Sequence, residues 1–388
     1  MERGPPASVA LQFSTRRNRG LLSLEYCLAL MEIQVVSSSS AHRIGDRIDR
    51  PIRNNSLQRG AGTRLGRSIK TALDLIRGRR LLSPDAVQNP LEELAKYFFF
   101  GLLRPRFPLN IQIETSSRCN AQCGFCPYPV VSKTQPQGLM ADDLWRRLID
   151  EILAHHTWWV HFYYLNEPLL DSRLPQIIRS VTSRRRGRLP KTKINTNGTL
   201  LDEERARALL EAGLDQITVS IPSLDPTIYS RHMGGLKLDK VIANVERLNE
   251  MRRTMGARLD LRVTATVTDH TADSIYRQRA FWRARGIRFE QVRMANQADR
   301  EIETNGLSAR YVASRFCAVP FWRMYITWNG DTVLCCCDTS HTVTPGNVAR
   351  SSIAEVWNSP AYRALHRARW SGIDLPQVCR DCRVSVPD

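Results

Sequence analysis

Cys119, Cys123 and Cys126 stand at spacing C-x3-C-x2-C, directly after an apolar run from Leu109 to Thr115. Thiolates so spaced are ligands for a soft metal centre. Three are one short of a closed four-thiolate cage. A cubane iron–sulfur cluster held by three cysteines keeps one iron without a protein ligand, and that open position is where chemistry can occur. A zinc site, or three small buried apolar side chains, would carry the same letters. Nine of the ten cysteines fall into clusters: this trio, Cys317 with Cys335, Cys336 and Cys337, and the pair Cys379 and Cys382. In a small secreted chain ten cysteines would suggest disulfides, but this clustering reads as metal ligation in a reducing cytoplasm. Cys27 stands alone.

The elements around the trio alternate. Strands are expected at Leu109–Thr115, Trp158–Tyr164, Lys191–Asn195, Gln216–Ile221, Leu259–Val267 and Ile287–Met294. Helices are expected at Ala141–His155, Leu174–Ser183, Asp202–Ala212, Leu238–Met251 and Ala272–Arg285. Asp142 and Asp143 suit the positive start of the first helix, and Gly213 stops the third. Strands alternating with helices imply a parallel sheet with right-handed crossovers, and in such barrels chemistry sits at the carboxyl ends of the strands. The polar residues Asn166-Glu167-Pro168, Thr196-Asn197-Gly198 and Ser220 fall there. A carboxylate such as Glu167 beside a strand end suits a cationic amine, or it caps the helix starting near Arg173. Asn197-Gly198 is a turn signal in its own right.

The trio, with Phe125 just before its third cysteine, resembles the cysteine motif of the radical S-adenosylmethionine (radical SAM) superfamily, and the strand-end residues follow that family's order. The resemblance implies an α/β fold, a partial (β/α)6 barrel, with a [4Fe–4S] cluster on Cys119, Cys123 and Cys126 that binds S-adenosylmethionine (SAM). It implies that Glu167 and the backbone near Asn166 meet the SAM ammonium. Here Leu165-Asn166 replaces the family's two glycines. It further implies Asn197 in the family's T-N-G turn, Ser220 against the SAM carboxylate, and Phe125 near the adenine. Arg262 on the fifth strand is either a partner for that carboxylate or a surface residue.

After the sixth strand the alternation stops. Arg323–Trp328 reads as a strand, Asn329-Gly330 as a hairpin turn, and Thr332–Cys335 as the returning strand. Helical stretches follow at Ile353–Asn358 and Tyr362–Trp370, then Cys379-x2-Cys382. A C-x2-C pair far from two other cysteines suits a four-thiolate site. The run resembles the small α+β auxiliary iron–sulfur domain called twitch, the short form of SPASM. That resemblance implies an auxiliary [4Fe–4S] cluster on Cys317, Cys335, Cys379 and Cys382. On a strand Cys335 and Cys337 share a face and Cys336 points away, so a slip of one residue would change the ligand. Structural zinc is the alternative for the whole set. With six residues left after Cys382, one auxiliary cluster is expected.

The domain reading is residues 1–64 disordered or over-extended, 65–108 a helical lead-in, 109–300 the barrel and 301–388 the auxiliary domain. The net charge is +18, and 18 Lys and Arg against 9 Asp and Glu before Pro108 supply half of it. No compact basic helix with interleaved aromatics appears, so this charge reads as a solvated basic surface and not as a nucleic-acid site. No run reaches the length of a membrane span. A pair of clusters suggests oxidation of a carbinol carbon, with one cluster starting the reaction and the other taking an electron. The one-cluster arrangement resembles the 2-deoxy-scyllo-inosamine dehydrogenases, which implies an aminocyclitol or sugar as a small-molecule substrate in antibiotic biosynthesis. It implies also an external one-electron donor of flavodoxin or ferredoxin type. Arg293, Arg300, Tyr163 and Tyr164, near strand ends, are candidates for a base or substrate clamp. Sugar epimerisation, peptide maturation and a non-enzymatic basic metal module remain as alternatives. Epimerisation needs a thiol hydrogen donor, and no cysteine lies between Cys126 and Cys317.

Overall fold

Alternation along the strands decides the shape. β1 (Asn110–Ile113), β2 (Trp159–His161), β3 (Lys191–Thr196), β4 (Gln216–Ser220), β5 (Asp260–Val267) and β6 (Arg288–Arg293) lie side by side in chain order, each parallel to the next. The computed structural model describes residues 104–267, 271, 274–293, 311–313 and 317–385, with the backbone alone at 293, 311–313 and 383–385. The chain divides into Met1–Gly66 and Arg67–Asp388, and every described residue belongs to the second unit. Cys27, Arg300, and the helical lead-in up to residue 103 lie outside the described residues.

Strands added in sequence through right-handed crossovers keep their helices on one face, so the sheet curls around the other as a partial barrel. One face of the strands is apolar. Ile111, Val160, Ile194, Ile217, Val219, Leu261 and Val263 join the core against helices Asp142–Ala154, Leu174–Thr182, Glu203–Glu211, Leu238–Thr254 and Ile275–Ala284. Those helices answer with residues at helical spacing such as Leu144, Leu148 and Ile152, all buried. Full burial of each such side chain contributes roughly 1.5–3 kcal/mol. The opposite strand face carries buried polar residues: Gln112, His161, Lys193, Thr218 and Arg262. Helix Glu203–Glu211 starts on Asp202, whose side chain accepts from Arg205 N at 2.9 Å. It stops at Gly213, where φ is +73°.

The C-terminal segment adds its own strands to the barrel's sheet. After β7 (Tyr311–Ala313), β8 (Arg323–Ile326) runs parallel to β1, pairing Asn110 with Arg323 and Ile113 with Ile326. β9 (Asp331–Val333) and β10 (Gly346–Asn347) continue outward, giving one nine-stranded sheet in the order β10-β9-β8-β1-β2-β3-β4-β5-β6. The boundary drawn at 300/301 is therefore no break in the sheet. The physical reason is the second edge of β1, whose open backbone groups need a partner. The Asn329-Gly330 turn forms as read, with φ +87° at Gly330. Helices Ile353–Trp357, Pro360–Ser371 and Gln377–Asp381 follow, and β11 (Arg383–Ser385) pairs antiparallel with β7. Glu151 of the barrel fixes the first of these helices by accepting from Ile353 N at 2.8 Å and Ala354 N at 2.9 Å. Tyr128–Thr134, Pro226–His232, Val319–Trp322 and Gln377–Asp381 are helices the sequence reading did not find. None is long enough for an apolar period to register.

Candidate functional site

The loop carrying the first three cysteines is clamped from several sides. The Tyr128 hydroxyl accepts from Cys119 N at 2.8 Å. The His232 carbonyl accepts from Gly124 N at 3.1 Å, and the Cys123 carbonyl from Cys126 N at 3.1 Å. Gly234 has φ +65°, and a Cβ there would stand 2.4 Å from the Gln122 carbonyl carbon and oxygen. The three thiols are free. Burial pushes Cys119 up to about 12 and raises Cys123 and Cys126 above the usual thiol range; the nearby Glu167 adds to the rise for the first two. Buried thiols become ligating thiolates when a metal supplies the opposing charge. Among the described residues no three His, Cys, Asp or Glu side chains close on a point for a single ion. Three free, neighbouring thiols on a braced loop fit a cluster with one open iron.

Glu167 is buried and joins the ends of β2 and β3. Its Oε1 accepts from Leu169 N at 3.1 Å and Thr196 Oγ1 at 2.6 Å, and its Oε2 accepts from Asn197 N at 2.7 Å. Burial pushes its pKa up to about 7, while those three donors pull it back. It caps the 3₁₀ turn Pro168–Leu170, not the helix that begins at Leu174. Three donors on roughly four lone-pair sites leave one acceptor site for an ammonium. Asn166 accepts from Tyr164 N at 2.8 Å, and its buried Nδ2 has no partner. An orphaned buried donor costs about 1–3 kcal/mol, which a ligand oxygen would relieve. Asn197 donates from Nδ2 to Asn120 Oδ1 at 2.8 Å, and Asn120 donates to Thr199 Oγ1 at 3.0 Å. The turn is thus tied directly to the cysteine loop. Asn120 and Thr199 carry no role in the sequence reading, although each sits inside or beside a motif singled out there. Ser220 ends β4 opposite Thr264. Phe125 packs on the core with its ring 6.5 Å from that of His232.

The other expected residues lie elsewhere. Arg262 is the third residue of β5, and its guanidinium is held by Asp260 and Glu290, each at 2.6 Å. These two carboxylates already oppose its charge. Tyr163 lies inside the barrel, its hydroxyl 3.2 Å from His161 Nδ1 and its ring 5.8 Å from Lys193 Nζ. Arg293 ends β6 with its backbone alone described, and Arg300 lies outside the described residues.

The second cysteine group also assembles. Cys317 precedes helix Val319–Trp322, Cys335 follows β9, and Cys379 and Cys382 occupy and end helix Gln377–Asp381. All are free. Burial raises Cys317 above the thiol range and pushes Cys379 up to about 12, and both feel Cys335 and Cys382. Cys337 is buried in the same group, with hydrogen bonds to Cys335, Cys336 and Cys382 raising its pKa; Cys336 is exposed. Five thiols therefore crowd a site expected to use four. Arg369, buried on helix Pro360–Ser371, donates from Nε to the Cys317 carbonyl at 3.2 Å and draws the Cys317 and Cys379 thiols downward. No motif or spacing in the chain marks Arg369. Tyr164, three residues beyond β2, donates to the carbonyls of Cys335 at 3.4 Å and Asp338 at 3.3 Å. That contact ties the barrel rim to the second cysteine loop.

A family model for the radical SAM superfamily matches residues 113–261, and a model for SPASM, an iron–sulfur cluster-binding domain, matches residues 317–383. The chain is 24% identical over 315 residues to a PqqA peptide cyclase of Granulibacter bethesdensis, covering 71% of this chain and 79% of that protein. It is 22% identical over 286 residues to an S-adenosyl-L-methionine-dependent 2-deoxy-scyllo-inosamine dehydrogenase of Niallia circulans, covering 71% and 93%. GTP 3′,8-cyclases are matched over less than half of their length. The crystal structure of Streptococcus suis SuiB bound to precursor peptide SuiA superposes with a TM-score of 0.54 at 18% identity, covering 77% of this chain and 79% of that one. The two domains imply SAM and [4Fe–4S] clusters as cofactors, and both cysteine groups have the free thiols to hold them.

Proposed function

From a chain that carries a radical SAM domain and, after it, a SPASM domain, we propose a radical SAM dehydrogenase that oxidises a carbinol carbon of an aminocyclitol or sugar. SAM bound at the first cluster supplies the hydrogen-abstracting radical. This chain's residues do the rest. Cys119, Cys123 and Cys126 hold the first cluster. Glu167 and Asn166 offer one acceptor site and one buried donor to the amino-acid end of SAM. The second cysteine group provides a site for the electron that leaves the substrate, and a reductant of flavodoxin or ferredoxin type recharges the first. The observation that carries this reading is two cysteine groups outside any disulfide in one chain, the second tied to the barrel rim by Tyr164. The dehydrogenase relative, matched over 93% of its length, supports the reaction class.

A peptide substrate is the second reading, favoured by the similarity to a peptide cyclase and to a peptide-bound fold neighbour. Epimerisation has less support, because Cys336, one of the two thiols that could have reached the barrel as hydrogen donor, is exposed. Anaerobic reconstitution tests the scheme. About eight irons per chain are expected, four for each cubane, with 5′-deoxyadenosine formed under dithionite and a product lighter by two hydrogen atoms. A holding of four irons, or zinc in place of iron, would sink the two-cluster scheme. A peptide product carrying a new cross-link would favour the second reading.

A further inference from the structure

A cavity of about 220 Å³ lies between Ser117 and Tyr128, which flank the first cysteine loop, and Ser340 and His341, which follow the second. Its walls come from the end of β1, the helix that follows Cys126, the turn after β8 and the loop that follows Cys337. We propose that this cavity seats the substrate and that Glu114, at its inner wall, pairs with a protonated amine on a small polyhydroxylated molecule. The proposal rests on the dehydrogenase reading and supplies its missing substrate site.

Glu114 follows β1 and continues the inward-facing series of Asn110 and Gln112. It is 3% exposed. Leu165 N reaches it at 3.4 Å, and the Trp328 backbone also donates to it. No lysine or arginine among the described residues adds to its electrostatics, in a chain whose net charge is +18. Burial pushes its pKa up to about 8. A buried carboxyl without a cation is costly to ionise, and a ligand's ammonium would remove that cost. The rest of the wall suits hydroxyls: Ser132, Gln137 and Asn329 present hydroxyl and amide groups. Trp328 supplies a flat apolar face, the kind of surface on which a ring with axial hydrogens packs. The indole lies against Gly138, where a Cβ would meet Trp328 Cζ3 at 2.2 Å. A pocket lined by a few convergent polar groups and one perturbed acid has the composition of a ligand site.

The test is calorimetric titration of the anaerobically reconstituted protein with 2-deoxystreptamine, which carries amines, and with myo-inositol, which does not. The amine is expected to bind roughly tenfold more tightly or better, as a charge-assisted contact allows. Glu114→Gln is expected to erase that preference and Glu114→Asp to keep part of it. Trp328→Leu should weaken both probes alike. A melting curve shows whether each variant is folded. Equal affinity for the two probes, no binding of either, or an undiminished preference in Glu114→Gln would overturn the proposal. Formation of 5′-deoxyadenosine by the unmodified protein reports on the parent reading separately. Its absence would count against that reading. Its presence without an amine preference would count against this seat alone.

Discussion

The two cysteine groups are built from the same atom type and sit in opposite electrostatic surroundings. The first has three thiols and a buried carboxyl, Glu167, whose charge raises the pKa of Cys119 and Cys123. The second has five thiols and a buried guanidinium, Arg369, which lowers that of Cys317 and Cys379. An anion beside a cluster disfavours an added electron and a cation favours it. On the proposed dehydrogenase reading, a cluster held by the first group would be the more reducing and one held by the second the better acceptor, the direction that such an oxidation would require. Their mechanical supports differ too. The first loop is braced by backbone contacts to Tyr128, His232 and Gly234. The second is gathered from three separate segments of chain: Cys317, Cys335–Cys337 and the Cys379–Cys382 helix.

The largest effects should come from removing a ligand, and they should differ between the sites. Cys126→Ala is expected to abolish 5′-deoxyadenosine formation while leaving the absorbance and iron of the second cluster. Cys379→Ala should do the reverse: SAM is still cleaved and oxidised product disappears. If Cys379→Ala also stopped SAM cleavage, the two sites would not be functionally separable. Gly234→Ala comes next. It forces a side chain into a left-handed conformation and against the Gln122 backbone, a strain of about 1–3 kcal/mol. Iron should be lost from the first site on mild heating and retained at the second.

This asymmetry also separates what the sequence shows from what it hides. The trio, the strand alternation, the Asn329-Gly330 turn and the Gly213 stop are local patterns, and each is found where the sequence places it. Glu167 was singled out for a ligand, but its main contacts, to Thr196 and Asn197, join strands about thirty residues apart. Arg262 stays open in the sequence for a related reason: its partner Glu290 arrives from the neighbouring strand. Arg369, Tyr164 and Glu114 act through long-range proximity, which no spacing rule records. The parallel pairing of β8 with β1 is another such case, since a strand's letters do not name the edge it joins.

The cavity lined by Glu114 gives a test that neither site shares. Glu114 has a raised pKa in the folded chain, near 8 against an ordinary carboxyl in the unfolded one. The protonated folded form is therefore favoured at low pH, and stability falls as pH rises from about 4.3 through 8. Glu114→Gln should flatten that slope, so its melting temperature should exceed that of the parent at pH 8.5 and converge with it near pH 4.5. An unchanged slope would mean that the carboxyl is already paired with a cation.

The smallest expected effect is the one that decides whether the opposite surroundings matter. Arg369→Gln keeps a donor for the Cys317 carbonyl and removes the charge. A buried charge several ångströms from a cluster, at an effective dielectric near 20, is worth about 1–2 kcal/mol, or roughly 40–90 mV for one electron. The second cluster's midpoint potential should fall by that amount in an electron paramagnetic resonance titration, while the first cluster's stays fixed. Product formation should slow without a change in SAM cleavage. A shift in both potentials would point to a general loosening of the fold, and no shift in either would show that the guanidinium is compensated from elsewhere. Only a shift confined to the second cluster makes Arg369 the reason that electrons leave the substrate in one direction.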